Sequence, residues 1–243
     1  MIHYRYNKEI LFNKNILIHH HLGMGDHISL CGMVNYISEN QEPNKLIYVL
    51  AKEQYYKNVK PLYEHNERII VHNIGKENEY IAAEKLAYEK GLEYLKIGHD
   101  HYNSSYEVRN NWNCNQVFYH LANIPYENRF TKFTVNYDKE KAKNVLHELN
   151  PEGKPFIFLH DDPSRGFNIN YNKNTYHVIK NDIRYSLYDF IEVLNKAEEI
   201  HLMPSSFYCL VESLPNITSK LYYYNIRGAR YGCGQKYNWN IIE

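Results

Sequence analysis

A carboxylate directly after a glycine turn is the clearest chemical signal in the first half of the sequence. Residues 15–21, NILIHHH, form an apolar run that ends in histidines, and the turn Gly23-Met24-Gly25 leads into Asp26. The two glycines let the backbone approach a bound group closely. A carboxylate at this point can act as a general base on a hydroxyl group. The alternative is that Asp26 only caps a helix and that the glycines only form a tight turn.

A second set of charged side chains follows an apolar run in the second half. The segment contains His160, Asp161, Asp162, Ser164 and Arg165. Arg165 can pair bidentately with a phosphate group. The two aspartates suggest an alternative site for a divalent metal ion, which prefers hard oxygen ligands. A solvated, purely structural charged loop is the third interpretation.

A third candidate lies where a predicted strand gives way to a predicted helix. The residues are Pro204, Ser205, Ser206 and Phe207. Ser205 suits the N-cap position, and the backbone amides of Ser206 and Phe207 can receive a phosphate oxygen, as the first amides of helices commonly do. Simple helix capping is the alternative. Arg227 and Arg230, near the C-terminus, add two further candidate cations.

Several common kinds of site are disfavoured. The glycine turn lacks the third glycine of a dinucleotide fingerprint, and a carboxylate beside it would repel a pyrophosphate. Neither a phosphate-binding loop of the G-K-[ST] type nor a G-x-S-x-G nucleophile elbow occurs. Of the three consecutive histidines, only His19 and His21 share a face of a strand, so a zinc site is disfavoured. The cysteines, which lie far apart, predict neither disulfides nor a thiolate metal site: Cys31, Cys114, Cys209 and Cys233.

The elements that position these residues alternate between strands and helices. This alternation predicts βαβ units, mostly parallel sheets and two Rossmann-like domains, 1–130 and 131–243. The predicted strands are 15–21, 46–51, 68–74, 92–98, 155–160, 199–203 and 220–226. The predicted helices follow Asp26 and cover 54–65, 81–91, 114–124, 138–149, 185–197 and 206–214, with loops at 102–113 and 161–174.

Composition narrows the function classes. The chain has 243 residues, with 28 lysines and arginines against 28 aspartates and glutamates. This neutral balance disfavours sequence-independent binding of nucleic acid, which needs a basic surface. The mean hydropathy of -0.64 argues against a membrane span, and the N-terminus has no pattern of a secretory signal. We therefore expect a soluble, cytoplasmic protein.

The stretch GMGDHISLCGMVNYI resembles the opening of lipopolysaccharide heptosyltransferases and related GT-B glycosyltransferases. The stretches FYHLANIPYENRFTKF, LYDFIEVLNKAEEIHLMPSSFYCLVESL and KLYYYNIRGAR resemble glycosyltransferase-like proteins of surface-polysaccharide synthesis. The resemblance implies two Rossmann-like domains facing a cleft, with the acceptor held by the first domain and the nucleotide-sugar by the second. It implies no obligatory metal ion and no cofactor other than the nucleotide-sugar co-substrate.

Residue roles follow from the same resemblance. It makes Asp26 the catalytic base, with Gly23, Met24, Gly25 and His27 on the acceptor side. It assigns donor binding to a set in the second half: His160, Arg165, Ser205, Ser206 and Phe207. The family's D-[ST]-G donor turn is replaced here by Pro204-Ser205-Ser206.

The predicted function is glycosyl transfer from a nucleotide-sugar to a glycan or lipid-linked acceptor. Two alternatives stay open. One is a catalytically silent protein of the same fold that binds a glycan or a nucleotide. The other is a metal-dependent transferase that uses Asp161 and Asp162.

Overall fold

The computed structural model describes residues 8–97, 113–171, 176–226 and 236–242. The chain divides into two compact units between Asn136 and Tyr137. The segment that precedes this division is bound to the first unit. Asn35 Nδ2 donates to the carbonyl oxygen of Lys132 and to the hydroxyl of Thr134, and Asn136 N donates to a carbonyl of the first unit.

The first unit is built on a four-stranded parallel sheet of order β3-β2-β1-β4. Its strands are β1 (Ile16–His19), β2 (Ile47–Ala51), β3 (Ile69–Asn73) and β4 (Glu93–Lys96). Its helices are α1 (Lys8–Asn13), α2 (Met24–Asn40), α3 (Glu53–Val59), α4 (Glu79–Lys90), α5 (Cys114–Leu121) and α6 (Asn128–Thr131), with a 3-10 turn at Lys60–Leu62.

Helix α2 is the central helix of the first unit and holds the glycine turn at its start. Its residues are buried on several sides, because α2 contacts α1, α3, α5 and α6. At Gly32 the approach to α6 is so close that a Cβ would lie 2.1 Å from the carbonyl oxygen of Asn128. The position therefore admits no side chain, and α2 is fixed in its orientation.

The second unit has a five-stranded parallel sheet of order β6-β5-β7-β8-β9. Its strands are β5 (Phe156–His160), β6 (His177–Lys180), β7 (Glu199–Leu202), β8 (Lys220–Tyr224) and β9 (Trp239–Ile242). Its helices are α7 (Lys139–Leu149), α8 (Ile191–Lys196) and α9 (Ser206–Ser213), with 3-10 turns at Pro163–Arg165 and Leu187–Phe190.

The predicted fold class, α/β with Rossmann-like units on parallel sheets, is confirmed. The structure adds elements that the sequence did not indicate, namely the edge strands β6 and β9 and the short helices α1 and α6. Helix α2 begins at Met24 with Gly23 as its N-cap, so Asp26 is the third residue of the helix and not its cap. The predicted loop at 102–113 falls outside the described residues except for its last residue.

Candidate functional site

In each sheet the strand order reverses at one place, and that place marks a crevice at the carboxyl edge. In the first sheet the reversal lies between β1 and β4, and in the second it lies between β5 and β7. Ligands of open parallel sheets bind at such reversals, outside the carboxyl ends of the strands. Asp26 follows β1, His160 ends β5 and Ser205 follows β7, so the candidate residues lie at these two edges.

The first turn of α2 holds the Asp26 carboxylate against the backbone of Gly23. A Cβ built at Gly23 would lie only 2.7 Å from Oδ2 of Asp26. The missing side chain at Gly23 is therefore what lets the carboxylate fold back over the N-terminus of the helix. The amide of His27 donates to the Gly23 carbonyl at 3.1 Å and closes this turn.

The protonation equilibrium of Asp26 is strongly displaced. Burial raises the pKa of Asp26 from 3.8 to about 7, against the opposing effect of the backbone N–H groups of Asp26 and Gly23. A carboxylate with a pKa near 7 is half ionised at neutral pH and accepts a proton more readily than an ordinary aspartate. Such displaced values are typical of catalytic groups.

His27 lies beneath this turn, away from solvent. Its ring is fully buried and packs edge to face against the ring of His20, with 4.6 Å between the centroids. Burial holds the pKa of His27 well below 6.5, and the neighbouring His20 and Lys52 lower it further. The predicted acceptor-side role of His27 is therefore not that of a charged surface group. Met24 is buried as well, so Gly23 and Gly25 are the more accessible members of the predicted acceptor-side set.

A network of polar side chains surrounds the carboxyl end of β1. His19 is fully buried, and its Nδ1 lies 2.6 Å from the hydroxyl of Tyr94. Its Nε2 lies 4.0 Å from the carboxylate of Glu79, which also pairs with Lys52 at 2.7 Å. His19 thus faces α4 whereas His20 faces α2, as expected from the alternation of side chains along a strand.

A cavity of about 500 Å³ opens beside this network, at the carboxyl ends of β2 and β3. Its wall combines two lysines, two glutamates, an amide and a glycine: Lys52, Glu53, Gln54, Gly75, Lys76 and Glu77. Another cavity, of about 420 Å³, includes Pro155, Phe156 and Glu198 at the amino ends of β5 and β7. It therefore lies at the sheet edge opposite to His160.

Four of the five predicted donor residues lie at the end of β5 or at the start of α9, at the carboxyl edge of the second sheet. His160 and Phe207 pack with 4.8 Å between their ring centroids. Nδ1 of His160 lies 2.7 Å from Oδ1 of Asn181, which follows the unpredicted strand β6. Ser205 caps α9 by accepting from the amide of Tyr208 at 3.4 Å, and Ser206 begins that helix.

The two aspartates after β5 each form an ion pair with a basic side chain. Lys180 Nζ lies 3.0 Å from Asp161, and Arg165 Nε donates to Asp162. The hydroxyl of Ser164 also donates to Asp162, at 2.6 Å. Within the described residues there is no group of three histidine, cysteine, aspartate or glutamate side chains placed to hold a metal ion.

The sequence offers three more aromatic residues that could pack on a base or a sugar, namely Phe167, Tyr208 and Tyr231, although core packing is the alternative for each. Tyr208 is buried against Tyr223 and Trp239, so it belongs to the core of the second unit. Phe167 is half-buried, and the guanidinium of Arg165 lies 6.0 Å from the centre of its ring. The remaining candidates lie outside the described residues: Arg227, Arg230 and Tyr231.

Sequence reasoning missed Asn181 and Lys180. Both depend on β6, a four-residue strand at the edge of the sheet in which Val178 and Ile179 are the only apolar residues.

Among the helices of the described residues, none is long and apolar enough to cross a membrane.

Comparison with known proteins gives one informative match. No protein-family model matches the chain, and no curated protein sequence matches it. Among solved structures, the chain is similar to the glycosyl transferase family 9 protein from Veillonella parvula DSM 2008, with a TM-score of 0.56 and 9% sequence identity. The similarity covers 88% of this chain and 81% of that chain. The chain therefore shares its fold with that protein.

Proposed function

We propose that this protein is a metal-independent glycosyltransferase of the GT-B type. It moves a sugar from a nucleotide-sugar to a hydroxyl group of a glycan or a lipid-linked acceptor in the cytoplasm. The observation that carries the proposal is the Asp26 carboxylate, held at a sheet reversal with a pKa of about 7. The fold shared with a glycosyl transferase family 9 protein supports the same reaction class.

In the proposed reaction, ionised Asp26 takes the proton of the acceptor hydroxyl. The hydroxyl oxygen then forms a bond to the anomeric carbon of the donor sugar. The bond between that carbon and the diphosphate oxygen breaks, and the nucleoside diphosphate leaves with the electron pair. The negative charge that develops on the diphosphate is stabilised by Arg165 and by the backbone amides of Ser206 and Phe207, which as the first amides of α9 have no acceptor within that helix.

The acceptor is expected to bind to the first unit. The cavity at the carboxyl ends of β2 and β3 supports this placement, because Lys52 lines it and also lowers the pKa of His27, next to Asp26. Its wall offers both donors and acceptors of hydrogen bonds, which suits the hydroxyl groups of a saccharide.

A second candidate is a silent protein of the same fold that binds a nucleotide or a glycan without turnover. The turn between β7 and α9 favours it, because proline and serine occupy the places of the aspartate and glycine in the D-[ST]-G pattern. Binding without hydrolysis or transfer of the donor would distinguish this candidate from the enzyme.

The test is thermal unfolding with UDP, GDP, CMP, ADP and dTDP sugars, each with magnesium and with excess chelator, followed by assay of donor hydrolysis and transfer. A ligand at a hundred times its dissociation constant adds roughly 2.7 kcal/mol of stability, enough to raise the midpoint by several degrees. We expect one nucleotide family to stabilise the protein equally with and without magnesium, and to be consumed. No stabilisation by any member, or loss of turnover in chelator, would contradict the proposal.

A further inference from the structure

The surroundings of His160 determine which of its ring nitrogens carries a proton. His160 is the last residue of β5, beside the reversal between β5 and β7. Its Nδ1 lies 2.7 Å from Oδ1 of Asn181. An amide oxygen only accepts hydrogen bonds, so Nδ1 must carry the proton and donate. The packing of the ring against Phe207 fixes the plane in which Nε2 points.

The ring of His160 is neutral at physiological pH. Burial lowers the pKa of His160 below 6.5, and Arg165 lowers it further. Opposing effects come from the hydrogen bond to Asn181 and from the charges of Asp161 and Asp162. Those two aspartates are engaged by Lys180 and Arg165, which limits their effect on the ring. Nε2 therefore holds a lone pair, and it has no hydrogen-bond partner among the described residues.

We propose that His160 binds the nucleotide-sugar donor as a hydrogen-bond acceptor. Its Nε2 accepts a hydrogen bond from a hydroxyl group of the ribose or of the sugar. Asn181 is a positioning residue that keeps His160 in the tautomer this contact requires. The proposal rests on the proposed function, because it takes a nucleotide-sugar as the ligand of this edge.

This assignment separates two kinds of contact at one edge of the sheet. A phosphate oxygen is itself an acceptor and gains nothing from the lone pair of Nε2. The diphosphate is therefore left to Arg165 and to the amides of Ser206 and Phe207, whereas His160 discriminates among the hydroxyl groups of the donor. A site built to bind a hydroxyl disfavours an analogue that lacks it, because its own polar group is then left unpaired.

The experiment compares the wild-type protein with Asn181→Leu and Asn181→Asp by calorimetric titration between pH 5.5 and 8.5. The probes are the nucleotide-sugar that stabilises the wild-type protein and its 2′-deoxy, 3′-deoxy and sugar-deoxy analogues. The control is Asn216→Asp, which adds the same charge at an exposed turn after the far end of α9. Thermal unfolding of each variant verifies that it is folded, and ¹⁵N NMR of the free wild-type protein identifies the tautomer of His160.

We expect the NMR spectrum to show a neutral ring protonated at Nδ1. Asn181→Leu should bind the complete donor roughly 5- to 10-fold more weakly, the effect of one neutral hydrogen bond. For the wild-type protein, the affinity of one deoxy analogue should be lower than that of the complete donor by a similar factor. The affinity of that analogue for Asn181→Leu should be no lower than its affinity for the wild type. In Asn181→Asp the new carboxylate raises the pKa of His160, so affinity should be weak near pH 6 and recover as the pH rises. The control should follow the wild type.

A ring protonated at Nε2 would overturn the proposal, as would Asn181 variants that bind every probe as the wild type does at each pH. An equal loss for all analogues would also overturn it, since it would show a structural role for Asn181. If the wild-type protein binds no nucleotide-sugar, the proposed function fails and the donor contact fails with it. Normal donor binding with indifferent Asn181 variants overturns this inference alone.

Discussion

Replacing Asp26 by asparagine is expected to stabilise the folded protein at pH 8 although it removes the proposed base. Folding raises the pKa of Asp26 from 3.8 to about 7, so the folded state binds this proton more tightly than the unfolded state does. The contribution to stability is complete below pH 3.8 and is lost as the pH rises through about 7. The full displacement corresponds to roughly 4 kcal/mol, and partial solvation of the half-buried side chain reduces the expected gain to about 2–4 kcal/mol.

The assay is urea unfolding of the wild-type protein and Asp26→Asn at intervals from pH 4 to pH 8.5. The free energy of unfolding of Asp26→Asn should exceed that of the wild type by little near pH 4. The excess should grow by at most about 1.4 kcal/mol per pH unit and level off above pH 7. Asp138→Asn is the matched control, because asparagine caps α7 as well as the exposed aspartate does. A stability difference between the wild type and Asp26→Asn that does not change with pH would refute the argument that burial displaces this titration.

Three further substitutions test the packing within the two units, and one of them lies beside Asp26. Gly32→Ala places a Cβ 2.1 Å from the carbonyl oxygen of Asn128. Urea unfolding should therefore show a free energy of unfolding lower by at least about 2 kcal/mol. A variant as stable as the wild type would contradict the close approach of α2 and α6. Gly23→Ala displaces the Asp26 carboxylate, whose Oδ2 would lie 2.7 Å from the new Cβ. Transfer should then fall roughly 100-fold in a rate assay while calorimetric donor affinity stays unchanged, and an unchanged rate would count against the assigned geometry. Glu212 is buried and accepts from an indole N–H at 2.7 Å and from a backbone amide at 3.1 Å. Glu212→Gln should lower the free energy of unfolding by about 1–3 kcal/mol, measured by tryptophan fluorescence during unfolding. An unchanged free energy would show that this carboxylate does not hold β9.

Much of the fold could be predicted from local sequence patterns. The buried strands β1, β2 and β5 are short, mainly apolar runs followed by turns, and such runs are recognisable without a structure. The edge strands β6 and β9 were missed because edge strands are short and partly exposed. In β9, Ile241 and Ile242 are exposed, so the strand shows no regular alternation of buried and exposed positions.

The candidate site was predictable in position but not in its electrostatics. A glycine turn followed by Asp26 indicated a carboxylate at the carboxyl edge of a sheet. The burial that raises its pKa depends on how α2 packs in the first unit, which is a tertiary property. In the same way, the pairing of His160 with Asn181 joins residues 21 positions apart across β5 and β6, and no local pattern encodes it.

The most direct test of the central claim is the pH dependence of single-turnover transfer by the wild-type protein and by Asp26→Asn, measured with the donor that stabilises the protein. Because Asp26 acts in its ionised form, the wild-type rate should rise about tenfold per pH unit below pH 7 and level off above it. Asp26→Asn should retain donor affinity and lose transfer at every pH. Transfer by Asp26→Asn at the wild-type rate, or a wild-type rate that does not change between pH 5.5 and 8.5, would contradict the assignment of Asp26 as the base.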